Sequence, residues 1–187
     1  MSAVATRAEQ SPLLRALLHV APRLGSRLRC AEAWKGFRVE DTYERVVAVD
    51  DVVLGGSRLL VGLHAFPSMS AEGALHDHRW PLAVLPLSAD GAELLYEMPW
   101  AAPDGSAGLL EVRAGQPYAL DDCRVRHAIR SHAAHLSLNL TDITHPPSRE
   151  NRLRVEPLPR ARVDEIRLRL ARALSPASGA ASFASKT

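Results

Sequence analysis

Between Arg38 and Thr141 the chain carries short runs of Val, Leu and Ile, each broken after a few residues by turn formers. Gly55-Gly56, Ala89-Asp90-Gly91, Pro103-Asp104-Gly105 and Gly115-Gln116-Pro117 supply the breaks. Glycine tolerates the positive φ of tight turns and proline cannot donate into a strand ladder, so such clusters end strands. The spacing predicts strands near 45–49, 52–54, 58–66, 74–80, 82–87, 92–98, 109–113, 124–130 and 135–140. Eight or nine strands in succession, with no helix between them, point to an all-β barrel or jelly roll.

The flanks read differently. Ser11-Pro12 is a helix start, with Ser as N-cap and Pro at the first helical position, and predicts a short helix to about Val20. Beyond Thr141 the chain is irregular and rich in Pro and Arg. A second helix is predicted over 161–174, with Val163, Ile166, Leu170 and Leu174 along one face and Arg on the other. That pattern fits a helix packed on the outside of the barrel, with a basic helix on a membrane surface as the alternative. Residues 1–10 are expected to be disordered, 11–174 to form one domain with flanking helices, and the Ala/Ser-rich 175–187 to be a disordered tail.

Composition excludes more than it assigns. The 187 residues are 47% hydrophobic, and 23 basic against 21 acidic side chains leave a net charge of only +2. Neither a nucleic acid nor a membrane is called for as partner. Cys30 and Cys123 do not make a disulfide framework. No stretch reaches the ~20 apolar residues of a membrane span, and residues 12–22 lack the flanks of a signal peptide, so a cytoplasmic location is expected. A homodimer stays open.

The eight histidines are unevenly spread. His76 and His78 stand two apart in a strand-like run, which would turn both imidazoles to one face. His127 lies 49 residues on, in another predicted strand, and a barrel can bring the two together. Three imidazoles on rigid strands would leave coordination positions open, and imidazole suits Fe, Zn, Cu and Ni. His64 reads as a core residue, and His132 and His135 as exposed beside a turn. Trp80 and Tyr96 are candidates for the pocket wall.

On these residues the chain resembles a cupin. That family's first motif carries H-x-H and usually a Glu a few residues on; here Leu82 and Ala83 stand where the Glu would fall, so the site is similar to the three-His branch. Within it, Leu75-His76-Asp77-His78, the stretch Tyr118–His127, and Leu136-Ser137-Leu138-Asn139-Leu140 resemble the thiol dioxygenases, such as cysteine dioxygenase. The resemblance implies a jelly-roll barrel and a mononuclear Fe(II) oxygenase using dioxygen on a small-molecule substrate. Tyr43-Glu44-Arg45 matches the place where that family carries an Arg for the substrate carboxylate, which would make Arg45 a substrate anchor. Ser137 matches the first member of the family's Ser–His–Tyr relay near the metal. Asn139 and Thr141 stand at the other two positions, and Ala83 stands where some members crosslink a Cys. The implied substrate is therefore a different small acidic or heteroatom-bearing molecule, in a pocket roomier where the Tyr ring is missing. An isomerase, cyclase or hydrolase using Zn or Ni, or a barrel that binds a small ligand without reaction, stays open.

Overall fold

The computed structural model describes residues 4–39, 43–67, 75–88, 91–147 and 154–174. Its strands are β1 (Trp34–Val39), β2 (Tyr43–Ala48), β3 (Val52–Leu54), β4 (Ser57–Phe66), β5 (Leu82–Ser88), β6 (Leu94–Ala101), β7 (Ala107–Arg113), β8 (Tyr118–Leu120), β9 (Arg126–His127), β10 (Arg130–Ser131), β11 (His135–Asp142) and β12 (Val155–Pro157). They form two antiparallel sheets. The larger runs β12-β1-β2-β4-β11-β5-β8, with β3 on β4; the smaller runs β10-β6-β7, with β9 on β6. This is an all-β fold of two antiparallel sheets, as a jelly roll requires. Helices α1 (Pro12–Val20), α2 (Gly25–Arg29) and α3 (Arg160–Ala173) flank it.

The larger sheet carries apolar side chains on both faces, and each face has its own partner. Because strand side chains alternate, the register sorts them. Leu63, Leu85 and Leu138 point outward and pack with Leu14 and Leu17 of α1, Leu28 of α2, and Ile166 and Leu170 of α3. Leu82, Val84, Tyr118 and Leu120 point inward and pack with Leu95, Tyr96, Met98 and Val112 around the smaller sheet. β5 is therefore an almost unbroken apolar run, as a strand buried on both faces must be.

The helices are fixed by specific contacts. Ser11 caps α1, its Oγ accepting from the Leu14 N–H at 3.0 Å and donating to Asp121 Oδ1 at 2.7 Å. In α3 the buried Arg167 donates to the Leu28 carbonyl and, at 3.2 Å, to Asp164. Helix α3 lies so close to β1 that a Cβ on Gly36 would stand 2.5 Å from Val163 Cγ2. Among the described residues no helix is long and apolar enough to cross a membrane.

Several expectations change. Residues 4–10 are not loose: Val4 and Ala5 are buried, and Ala5 and Ala119 exchange backbone hydrogen bonds of 3.0 and 2.8 Å. A small apolar pair suffices to seat this segment, which composition read as unstructured. No strand covers 75–80; only His76 forms a bridge, to His127. The predicted strand over 124–130 shrinks to the two-residue β9, with β10 starting at Arg130, because Ala128 and Ile129 lie between them outside either ladder. Strands β1, β8 and β12 and helix α2 carry no strong periodicity and were not anticipated. Residues 175–187 lie outside the described residues.

Replacing Gly36 by Ala should destabilise the fold by about 1–3 kcal/mol through overpacking against Val163. Urea unfolding followed by circular dichroism measures this, and an unchanged midpoint would mean that α3 does not seat on β1.

Candidate metal centre

The three histidines of the sequence argument come together at one end of the barrel. Backbone hydrogen bonds between His76 and His127, 2.9 Å from the His76 N–H and 2.8 Å from the His127 N–H, tie the segment before β5 to β9. The His78 N–H donates to the Cys123 carbonyl at 3.1 Å. The three ring pairs have centroids 5.3, 4.8 and 4.8 Å apart and interplanar angles of 67°, 62° and 68°, a propeller rather than a stack. One nitrogen from each ring falls within 4.8 Å of the others, and His78 Nε2 and His127 Nε2 are 2.8 Å apart. Two imidazole nitrogens, each about 2.0–2.1 Å from one ion and at right angles around it, would stand about 2.9 Å apart. That pair is spaced as two ligands of one divalent ion would be, and the third imidazole lies within 4.8 Å of both.

Electrostatics favour the ligating form. Burial, then the positive charge His76 could carry, pushes His127 down to about 3. Burial and the neighbouring His127 and His76 hold His78 well below the usual histidine range. Both rings are neutral near pH 7, the state in which an imidazole can bind metal. His76 is exposed, His78 half-buried and His127 buried, so the cluster opens to solvent on the His76 side.

Behind the histidines lies a cavity of about 100 Å³. Leu82, Val84 and Ile129 give it apolar walls, and Tyr43, His64, Phe66, Tyr96, Tyr118, Ser137 and Asn139 complete it. Four of these are aromatic rings from four strands, Tyr43, Phe66, Tyr96 and Tyr118. Tyr96 lines the cavity, and its hydroxyl lies 3.0 Å from that of Tyr118 on the opposite sheet. Burial pushes Tyr118 up to about 12 and Tyr96 well above its usual value. Asn139 Nδ2 donates to Ser137 Oγ at 2.9 Å and to the Ser137 carbonyl at 3.2 Å, so these two act as one unit. Thr141 follows on the same face, beside Leu82, but outside the cavity lining. Ala83 points the other way, into the outer core.

Trp80 is a correction. It stands outside the cavity lining; its indole N–H donates to the His145 carbonyl at 2.9 Å, and the Arg79 guanidinium sits 4.5 Å over its ring. Once 75–80 is not a strand, alternation no longer carries Trp80 to the face of the histidines. Arg45 pairs in register with His64 on the inner face of the larger sheet. Its Nε is buried and has no hydrogen-bond partner among the described residues. Burial, then the nearby Arg79, lowers its pKa, with Tyr43 opposing.

His64, read as a core residue, Tyr118, given no role, and His135, expected to be exposed and in fact buried, all stand on the inner face. Tyr43, Phe66, His135 and Tyr96 form a continuous stack from β2 to β6, with successive centroids 5.0, 4.5 and 4.7 Å apart. This layer of rings divides the histidine cavity from an outer groove that Arg38, Glu44, Arg162 and Arg169 border. The period-two pairs Tyr43/Arg45 and His64/Phe66 were visible signals, but they meet only through the β2–β4–β11 register.

No family model matches the chain, and no curated protein matches it. Among solved structures it is similar to the W96Y oxalate decarboxylase of Bacillus subtilis, at 13% identity and a TM-score of 0.44, over 58% of this chain and 27% of that one. An oxalate decarboxylase of Lactobacillus farciminis, solved as a formate complex, gives 14% and 0.44 over 63% and 32%. A prolyl-4-hydroxylase of Pseudomonas putida gives 16% and 0.44 over 75% and 91%. The chain thus spans about a third or less of the decarboxylases it resembles. The case for a metal rests on the histidine geometry.

His135 is 1% exposed, and burial brings it down to about 4 from 6.5. The unfolded chain therefore takes up this proton at higher pH than the folded one. Stability is complete above about 6.5, falls as the pH drops, and the loss ends near 4. Between pH 7 and 5 the His135 share is on the order of 1–2 kcal/mol. Replacing His135 by Phe keeps a ring in the stack and should shrink the urea-midpoint difference between those two pH values. An undiminished difference would assign the acid sensitivity elsewhere.

Proposed function

We propose that this chain is a mononuclear, metal-dependent oxygenase of cupin type that carries Fe(II) on His76, His78 and His127 and acts on a small acidic or heteroatom-bearing substrate. The observation that carries this reading is the convergence of three imidazole nitrogens within 4.8 Å at the mouth of a largely apolar cavity. When bound there, Fe(II) with only neutral ligands would supply Lewis acidity toward a substrate heteroatom and redox chemistry toward dioxygen. Thiol dioxygenases are the nearest chemical analogy, on the strength of the sequence resemblance.

The chain's own groups have definable parts. Arg45 is given the part of carboxylate anchor: it stands outside the cavity lining but beside His64 in register, its Nε is buried without a hydrogen-bond partner among the described residues, and its planar fork matches two oxygens. Leu82, Val84 and Ile129 keep water away from the reacting centre. Tyr96 and Tyr118 own two hydroxyl protons but need only one for their mutual bond, so one O–H remains to donate to an oxygen in the cavity. Ser137, with its Oγ taken by Asn139, keeps its own proton to donate. Asn139 cannot change protonation near neutral pH, and Thr141 stands outside the lining. No relay of the Ser–His–Tyr kind is therefore assigned, and cysteine is not the expected substrate.

Elemental analysis of the purified protein should find one transition metal per chain, lost in folded His127→Ala. Zinc or nickel without dioxygen uptake would favour a Lewis-acid enzyme, and metal-free protein a binding barrel. Dioxygen consumption by the iron-loaded protein across a panel of small acids and thiols should exclude L-cysteine as a good substrate. Turnover of cysteine at about 1–10³ s⁻¹, normal for an enzyme, would contradict this. With the substrate so found, Arg45→Lys should lower kcat/KM by about tenfold or more, because it keeps the charge and loses the fork. Unchanged kinetics in Arg45→Ala would place Arg45 outside the site.

A further inference from the structure

We propose that Met98 is a positioning residue for His127: its thioether accepts the Nδ1 proton and thereby turns the Nε2 lone pair toward the metal. This rests on the metal reading above. The geometry distinguishes the two ring nitrogens. His127 Nε2 faces the cluster, 2.8 Å from His78 Nε2. His127 Nδ1 faces away and lies 2.9 Å from Met98 Sδ. The ring is 3% exposed and Met98 0%, so bulk water does not take the sulfur's place.

The fold holds this contact firmly. His127 pairs in register with Trp100 of β6, and Met98 stands two residues before Trp100 on the same strand. Met98 is in turn paired with Leu110 of β7 and packed among Leu95, Tyr96 and Val112. The sulfur belongs to the smaller sheet's core, not to a movable loop.

A neutral imidazole carries one proton, on Nδ1 or on Nε2, and only the first leaves Nε2 free to bind metal. Metal-binding histidines ordinarily fix that choice by donating their outer N–H to a carboxylate, a carbonyl or water. Here the acceptor is a thioether, which is weak and uncharged. Met98 thus selects the tautomer while adding little electron density to the ring. In the metal-free protein the same tautomer lets His78 Nε2–H donate to His127 Nε2 across their 2.8 Å separation. His127 is accordingly a poorer donor than a carboxylate-backed histidine, and the ion it helps to hold keeps more of its positive charge.

The test compares wild type with Met98→Leu, which keeps the bulk and removes the acceptor, and Met98→Gln, which supplies a stronger one. Nitrogen-15 NMR of the histidine rings in the metal-free proteins reads the tautomer. Competition titration of Zn(II) against a chromophoric chelator reads affinity. Expected are an Nδ1–H form of His127 in wild type, a mixture in Met98→Leu with affinity about tenfold lower, and restoration of both in Met98→Gln. An Nε2–H ring in the wild type, or a Met98→Leu protein unchanged in tautomer and affinity, overturns the proposal. So does Met98→Gln binding more weakly than Met98→Leu, since packing alone penalises the polar residue more. Wild-type protein that takes up no zinc overturns the metal reading itself, whereas normal uptake with the wrong order of variants overturns only the part given to Met98.

Discussion

Two backbone hydrogen bonds between His76 and His127 join a segment that has no strand of its own to the smaller sheet. Everything at the cluster depends on them. They set two imidazoles side by side from chain positions 51 residues apart, and the bond from the His78 N–H to Cys123 adds the third. Backbone pairing of this kind fixes the ring origins without using any side-chain donor or acceptor. The cost of gathering three imidazoles, two of them at least half-buried, is met by the surrounding ladder and by their neutrality.

The division of the larger sheet into two faces explains where chemistry can sit. Its outer face is sealed by α1, α2 and α3 and carries aliphatic side chains. Its inner face carries polar groups beside apolar ones: Arg45, His64, His135, Ser137 and Asn139. A residue's parity along its strand therefore decides whether it serves stability or the cavity. Ala83 and Leu82 are adjacent in the chain and belong to different cores.

Much of this was legible in the sequence, for reasons that can be named. Turn residues and aliphatic runs located β4, β5, β6, β7 and β11, because each is long and well punctuated. Ser11-Pro12 marked α1, and the apolar stripe of 161–174 marked α3. The H-x-H pair and His127 stood out, although strand alternation was the wrong reason for their convergence; a bridge and a loop do it instead. What could not be read was register. His135 looked like a turn residue, yet its alignment opposite Phe66 buries it in a stack of rings. Trp80 failed with the strand it was assigned to. Met98 carried no signal at all, since only the pairing of β9 with β6 brings its sulfur to His127.

The Ala5–Ala119 bridge has a meaning beyond local order. β8 ends the larger sheet, and an unpaired edge offers its N–H and C=O groups to any passing chain. The opposite end is blunted by β12, which finishes on Pro157, a residue with no N–H to offer. At β8 the blunting is done by the N-terminal segment, which takes both hydrogen bonds of Ala119. A proteolytic cut between Ala5 and α1 would leave the histidine cluster intact in its covalent structure and yet bare a sticky edge. The first residues of the described chain thus cover a sheet edge, which bears on colloidal behaviour and not on the histidine cluster.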